Sequence, residues 1–225
     1  MSGWLFDNAS AYARATTGFL TVPPFTILCV FQTSSLAATQ CPWVMAASGT
    51  TSQNWRIQVN TDGTVWWNCA AGSTVQAQCT NTVTLNVPQY FVGVAVSDVD
   101  RTGVLNGDFA NKGTNTTSRV PTGVNRLSFG MKDDSSASNP LSGVVHYAAL
   151  WGAALDDAEI KAISAGAVPS RVRPASLLSY WPSFGRHNGS VIPDRRGRAP
   201  LPMNLGQVSA LAARRRARAA GGVAA

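Results

Sequence analysis

The sequence holds a single glutamate, Glu159, and only two histidines, His146 and His187. The first shortage excludes a glycosidase built on paired glutamates, because two carboxyls must flank the scissile bond. The second leaves little for a Ser–His relay: no serine sits in a G-x-S-x-G turn, and His146 lies inside an apolar run that reads as a structural strand. A P-loop is absent, and no G-x-G-x-x-G joins a strand to a helix. Asp98 and Asp100 are spaced to share a strand face, but they run into Arg101-Thr102-Gly103 and read as turn carboxylates paired with Arg101. Cys29, Cys41, Cys69 and Cys79 lack C-x-x-C spacing and histidine partners, which argues against zinc and for reduced, buried thiols. No apolar run approaches the ~18 residues of a membrane span. The N-terminus shows no basic stretch followed by an apolar one, so no export signal is expected.

Charge is scarce too, at 13% of residues against 45% hydrophobic, so the folded surface must be largely uncharged. What charge there is divides unevenly. Residues 1–170 carry eight Lys or Arg against ten Asp or Glu, whereas residues 171–225 carry ten Arg and the single acid Asp194. The net charge of +7 is therefore a property of the C-terminal quarter. From residue 209 onward the chain is mostly Ala and Arg with little left to bury, and 209–225 reads as a mobile basic tail.

Strand patterns dominate the rest. Residues 25–32 form a strongly apolar run after Pro23-Pro24. Residues 55–60 alternate, with Trp55, Ile57 and Val59 on one face and Arg56, Gln58 and Asn60 on the other. Asp62-Gly63 then signals a two-residue hairpin turn, which would pair Val59 with Trp66 and Gln58 with Trp67. That register puts Trp66 in the core and Trp67 on the polar face beside Gln58 and Arg56. Residues 90–97, a hairpin at Asn106-Gly107, and the alternating 125–132 continue the series. In 143–151, Val145, Tyr147, Ala149 and Trp151 should face one way and Val144, His146, Ala148 and Leu150 the other. A short helix near 156–165 follows, with Asp156 as N-cap, Glu159 closing a capping box, Leu155 and Ile160 as a staple and Gly166 as its stop. Turn signals at this spacing predict an all-β, two-sheet antiparallel sandwich.

The opening FDNASAY at 6–12, the strand at 25–31, the 55–67 hairpin, the 91–107 segment and the 143–163 strand–helix unit carry a family likeness. So do LLSYWP at 177–182 and DRRG at 194–197. The chain resembles a laminin-G-like, concanavalin A-type jelly roll of the kind found in many bacteriophage virion proteins. The resemblance implies a jelly-roll core over 1–168, an extended segment over 169–208 packing on or completing it, and the tail 209–225. It also implies a non-enzymatic virion structural protein: a capsid decoration or head-fibre protein, made in the host cytoplasm, held to the major capsid protein and able to self-associate. The alternative is a carbohydrate-binding module of a phage tail or fibre. For a glycan the expected residues are Trp67, Arg56 and Gln58, with Trp43 and Trp181 weaker. For attachment they are the arginines Arg214, Arg215, Arg216 and Arg218; with no aromatic interleaving, these do not point to nucleic acid. No cofactor is expected apart from the Ca2+ that many laminin-G-like domains hold. Asp133 and Asp134 are the first candidates for it, and Asp98 or Asp100 the second.

Overall fold

Alternating apolar and polar side chains resolve the chain into short strands joined by tight turns. The computed structural model describes residues 4–7, 12–16, 20, 22–182, 191–192 and 201–204. The strands are β1 (Trp4–Asp7), β2 (Tyr12–Ala15), β3 (Phe25–Thr33), β4 (Gln40–Ala46), β5 (Gln53–Val59) and β6 (Thr64–Ala71). They continue as β7 (Ser73–Thr82), β8 (Gln89–Ser97), β9 (Asp100–Leu105), β10 (Gly113–Asn115), β11 (Arg126–Phe129), β12 (Lys132–Asp133), β13 (Ala137–Ser138) and β14 (Ser142–Trp151). Helix α1 (Asp157–Ser164) precedes β15 (Leu177–Pro182), β16 (Val191–Ile192) and β17 (Leu201–Asn204).

Two large antiparallel sheets form, as the alternation requires, and β12 and β13 pair in a separate two-stranded hairpin. A seven-stranded sheet runs β1-β14-β3-β8-β9-β10, with β15 also beside β14; an eight-stranded sheet runs β16-β17-β2-β11-β4-β5-β6-β7. Between them Trp43, Trp55, Trp67, Phe25, Phe31, Phe91 and Phe129 make one continuous core. A second apolar layer lies on the other side of the seven-stranded sheet, where Leu28, Val92, Val104 and Trp151 meet Leu155, Ile160 and Ile163 of the helical segment. The cap is as the sequence predicts: Glu159 N donates to Asp156 Oδ1 at 2.9 Å and Asp156 N donates to Glu159 Oε2 at 2.9 Å. Leu155 and Ile160 are both buried, and Gly166 adopts φ +94° just past the helix.

The structure corrects two sequence expectations about faces. The register of β14 against β3 shifts between Val145 and Tyr147. Strict alternation breaks there, so Val145 shares the inter-sheet core with Ala148 and Leu150 while Ala149 and Trp151 face the helix. The second correction concerns the β5–β6 hairpin. Its loop has three residues, because Asn60 N donates to Thr64 O at 3.0 Å and Gly63 N to Asn60 O at 3.0 Å, with Gly63 at φ +83°. This is a type I turn followed by a left-handed glycine. The extra loop residue moves the pairing by one, so that Ile57 faces Trp67, Gln58 faces Trp66 and Val59 faces Val65. A one-residue slip exchanges faces, and Trp67, expected on the polar face, lies fully in the core instead.

Candidate functional site

Turning Trp55, Ile57, Val65, Trp67 and Cys69 inward turns Asn54, Arg56, Gln58, Trp66 and Asn68 outward on the eight-stranded sheet. Strand register then aligns Arg14, Ser128, Val44, Arg56, Asn68 and Gln76 in one row across β2, β11, β4, β5, β6 and β7. The neighbouring row carries Gln58, Trp66 and Gln78.

These side chains hold one another. Arg56 Nε donates to Gln58 Oε1 at 3.1 Å and Arg56 Nη1 to Asn54 Oδ1 at 2.6 Å. Asn68 Nδ2 donates to the same Gln58 oxygen at 3.0 Å, and Gln58 Nε2 to Asn60 Oδ1 at 2.7 Å. Two polar atoms in this patch are buried without a partner among the described residues: Asn68 Oδ1 and the indole Nε1 of Trp66. Asn68 is fully buried, whereas Trp66 is only half-buried. Unmatched buried polar atoms also occur elsewhere among the described residues, at the core indoles of Trp43, Trp55 and Trp67 for example, so they do not single out this patch.

Of the residues expected to meet a glycan, Arg56 and Gln58 stand together on this face and Trp67 does not. Its place is taken by Trp66. Trp43 and Trp181 are fully buried in the inter-sheet core. Trp66, Asn54 and Asn68 were missed, yet a signal existed: Asn60 stands three residues before Gly63, the positions that a type I turn with a following glycine favours.

The expected calcium ligands are engaged otherwise. Asp133 bridges Arg14 at 3.2 Å and Arg126 at 3.3 Å, and Asp134 meets Lys132 at 2.6 Å. The Asp134 carbonyl accepts from Arg126 Nη1 at 3.0 Å and from Gly49 N at 3.2 Å. Three cations around two carboxylates do not fit a divalent cation, which needs six to eight oxygens and an excess of negative charge. Among the described residues no group of three or more His, Cys, Asp or Glu is placed to hold a metal.

No carboxylate pair is poised for acid–base work at the positions the sequence raised. Glu159 accepts from Arg173 Nε at 2.8 Å and Nη2 at 2.6 Å as well as from its cap partner. Asp98 Oδ2 accepts from Ser118 Oγ at 2.8 Å, and Asp100 is exposed. Arg101 does not pair with either carboxylate, contrary to the turn reading. It is 1% exposed and donates to the carbonyls of Asp98 and Arg119 at 2.7 and 3.1 Å, to the Thr117 carbonyl, and to Asn115 Oδ1 at 2.9 Å. Burial lowers its guanidinium pKa from the ordinary arginine value. His146 is buried, and all four cysteines are free and buried. His187 and the arginines Arg214, Arg215, Arg216 and Arg218 lie outside the described residues.

Comparison with known proteins agrees with the architecture. Residues 7–161 match the family model for the concanavalin A-like lectin/glucanases superfamily. No curated protein matches the chain. Among solved structures, the carbohydrate-binding module CBM40 of a Ruminococcus gnavus IT-sialidase superposes with TM-score 0.60 at 16% identity, over 73% of this chain and 97% of that one. A heptameric SAP-like pentraxin from Limulus polyphemus gives TM-score 0.58 at 17% identity, over 72% and 80%. A candidate carbohydrate-binding protein from Bacteroides ovatus gives TM-score 0.65 at 16% identity, over 90% of this chain and 57% of that one.

Proposed function

The chain belongs to the concanavalin A-like lectin/glucanases superfamily, and on that premise we propose that it is a non-catalytic glycan-binding domain. Its contact surface is the outer face of the eight-stranded sheet around Arg56, Gln58, Asn68 and Trp66. The observation that carries this reading is the pairing, on one sheet face, of a half-buried indole with Arg56 and a hydrogen-bonded row of amides. Sugars are recognised by that combination: an aromatic face for the C–H side of the ring and fixed amides for its hydroxyls. Solved structures of similar fold include carbohydrate-binding modules, which supports the reading at the level of fold. The non-catalytic part is supported by Glu159, whose carboxylate is occupied by its helix cap and Arg173. The test is a glycan array probed with the full chain and with Trp66→Ala. Binding that the variant loses supports the proposal, and a blank array overturns it.

A virion setting is proposed as the second part of the reading, supported by the family resemblance and by the segregation of arginine into residues 171–225. The domain would then be displayed on a capsid or fibre, with Arg214, Arg215, Arg216 and Arg218 docking on an acidic protein surface. Deleting 209–225 should release the protein from purified particles; full retention would assign attachment to the β-domain.

A further inference from the structure

Arg56 sits near the middle of the outer face, with Val44 facing it on β4 and Asn68 on β6. Its Nε and Nη1 are fixed by two neutral amide oxygens, those of Gln58 and Asn54. Among the described residues its Nη2 has no hydrogen-bond partner and Arg56 joins no ion pair. By contrast, Arg14 and Arg126 of the same sheet share Asp133, and Lys132 meets Asp134, so each of these contacts a carboxylate. Four cations thus meet two carboxylates, an excess of two positive charges, and Arg56 is the one of the four that contacts no carboxylate.

A guanidinium held by amides is oriented without being neutralised. The free Nη2 and the remaining hydrogen of Nη1 form the fork that accepts a carboxylate end-on. Asn68 faces Arg56 across the strand pair, but its unmatched Oδ1 is buried, so the exposed part of this fork belongs to Arg56. The ligand class that answers this fork on a sugar-binding face is a sugar that carries a carboxylate. We propose that this face selects acidic sugars and that Arg56 reads their carboxylate. The inference rests on the glycan-binding reading above and names the ligand class of that same site.

The test is calorimetric titration of the full chain with two sugar acids, an oligogalacturonate and a lactose capped by N-acetylneuraminic acid. The methyl ester of each, unmodified lactose and a sulfated lactose serve as controls. At least one acid should bind about tenfold or more tightly than its own ester, the usual effect of a charge-assisted pair. The acid that binds identifies whether the carboxylate belongs to a chain sugar or a terminal one. Arg56→Gln should erase the difference between acid and ester, and Arg56→Lys, which keeps the charge but not the fork, should retain only part of it. Far-UV circular dichroism checks that both variants fold. If acid and ester bind alike while Trp66→Ala still abolishes binding, the charge proposal falls and the glycan-binding face stands. Equal affinity for the sulfated sugar would overturn the carboxylate assignment, and no binding by any saccharide would remove both readings.

Discussion

The indole of Trp67 lies directly against the backbone of Gly93: a Cβ at that glycine would sit 2.8 Å from the ring. Gly103, which pairs with Gly93 across β8 and β9, leaves room beside it, since a Cβ there would come within 3.2 Å of Trp67 Cβ. The two glycines form the floor on which the core tryptophan rests. Trp55 stacks on Trp67 at 5.7 Å between ring centroids, and Phe25 meets Trp67 edge-on at 6.2 Å.

Gly93→Ala should therefore destabilise the fold, because neither the indole nor the strand can yield without disturbing the stack. Overpacking of this kind costs about 1–3 kcal/mol, and chemical denaturation of the variant measures it directly.

Trp66 and Trp67 should separate cleanly under alanine substitution. Trp67→Ala opens a cavity in the core and should cost about 3–5 kcal/mol in urea unfolding. Trp66→Ala should leave the unfolding midpoint nearly unchanged while weakening glycan binding about tenfold, the scale of a lost aromatic contact. The opposite pattern would return Trp67 to the surface.

Asp133→Asn should loosen the β12–β13 hairpin, since one carboxylate serves both Arg14 and Arg126. With those arginines partly exposed, screening limits the effect to about 1 kcal/mol. Millimolar CaCl2 should not raise the melting temperature of the unmodified protein. A calcium-dependent rise that Asp133→Asn removes would contradict the ion-pair assignment.

The cysteines should resist thiol reagents until the protein unfolds. Burial pushes the Cys41 and Cys79 thiols up to about 11 and Cys69 up to about 12 from an ordinary 9.0. Because the folded values are raised, the folded state holds protons that the unfolded state releases once the pH passes 9. Stability should accordingly fall between about pH 9 and 11. Replacing Cys41 by Ala should flatten that slope, and titration with a chromogenic disulfide reagent should find no reactive thiol at neutral pH.

Asp156→Ala removes the N-cap acceptor for Glu159 N and should cost about 1 kcal/mol. Arg173→Ala should cost less, because its contacts to Glu159 are partly exposed. Thermal melts of the two variants, compared side by side, give the order.

Much of this architecture was legible beforehand because it is local. The capping box needs only Asp156 and Glu159 three residues apart, and the strand at 25–32 needs only its apolar run. The alternation of Trp55, Ile57 and Val59 against Arg56 and Gln58 likewise gave the two faces of β5 correctly. The candidate site was half legible for the same reason: Arg56 and Gln58 follow from alternation within one strand. Trp66 does not, since its face depends on how β6 is registered against β5. That register turned on a single loop residue. Asp133 shows the same limit, because nothing near it in sequence foretells Arg14, 119 residues earlier, whereas Lys132 beside Asp134 was in plain view.

By itself, then, the sequence determined the sandwich, the short capped helix, the two faces of β5 and the absence of a glutamate pair. All of these are set by side-chain chemistry repeating every two residues or by contacts within one turn. The tertiary structure decided which tryptophan is buried, which carboxylates are neutralised and where one arginine keeps its charge. Those outcomes depend on register and on partners brought together across sheets, where a shift of one residue exchanges inside for outside.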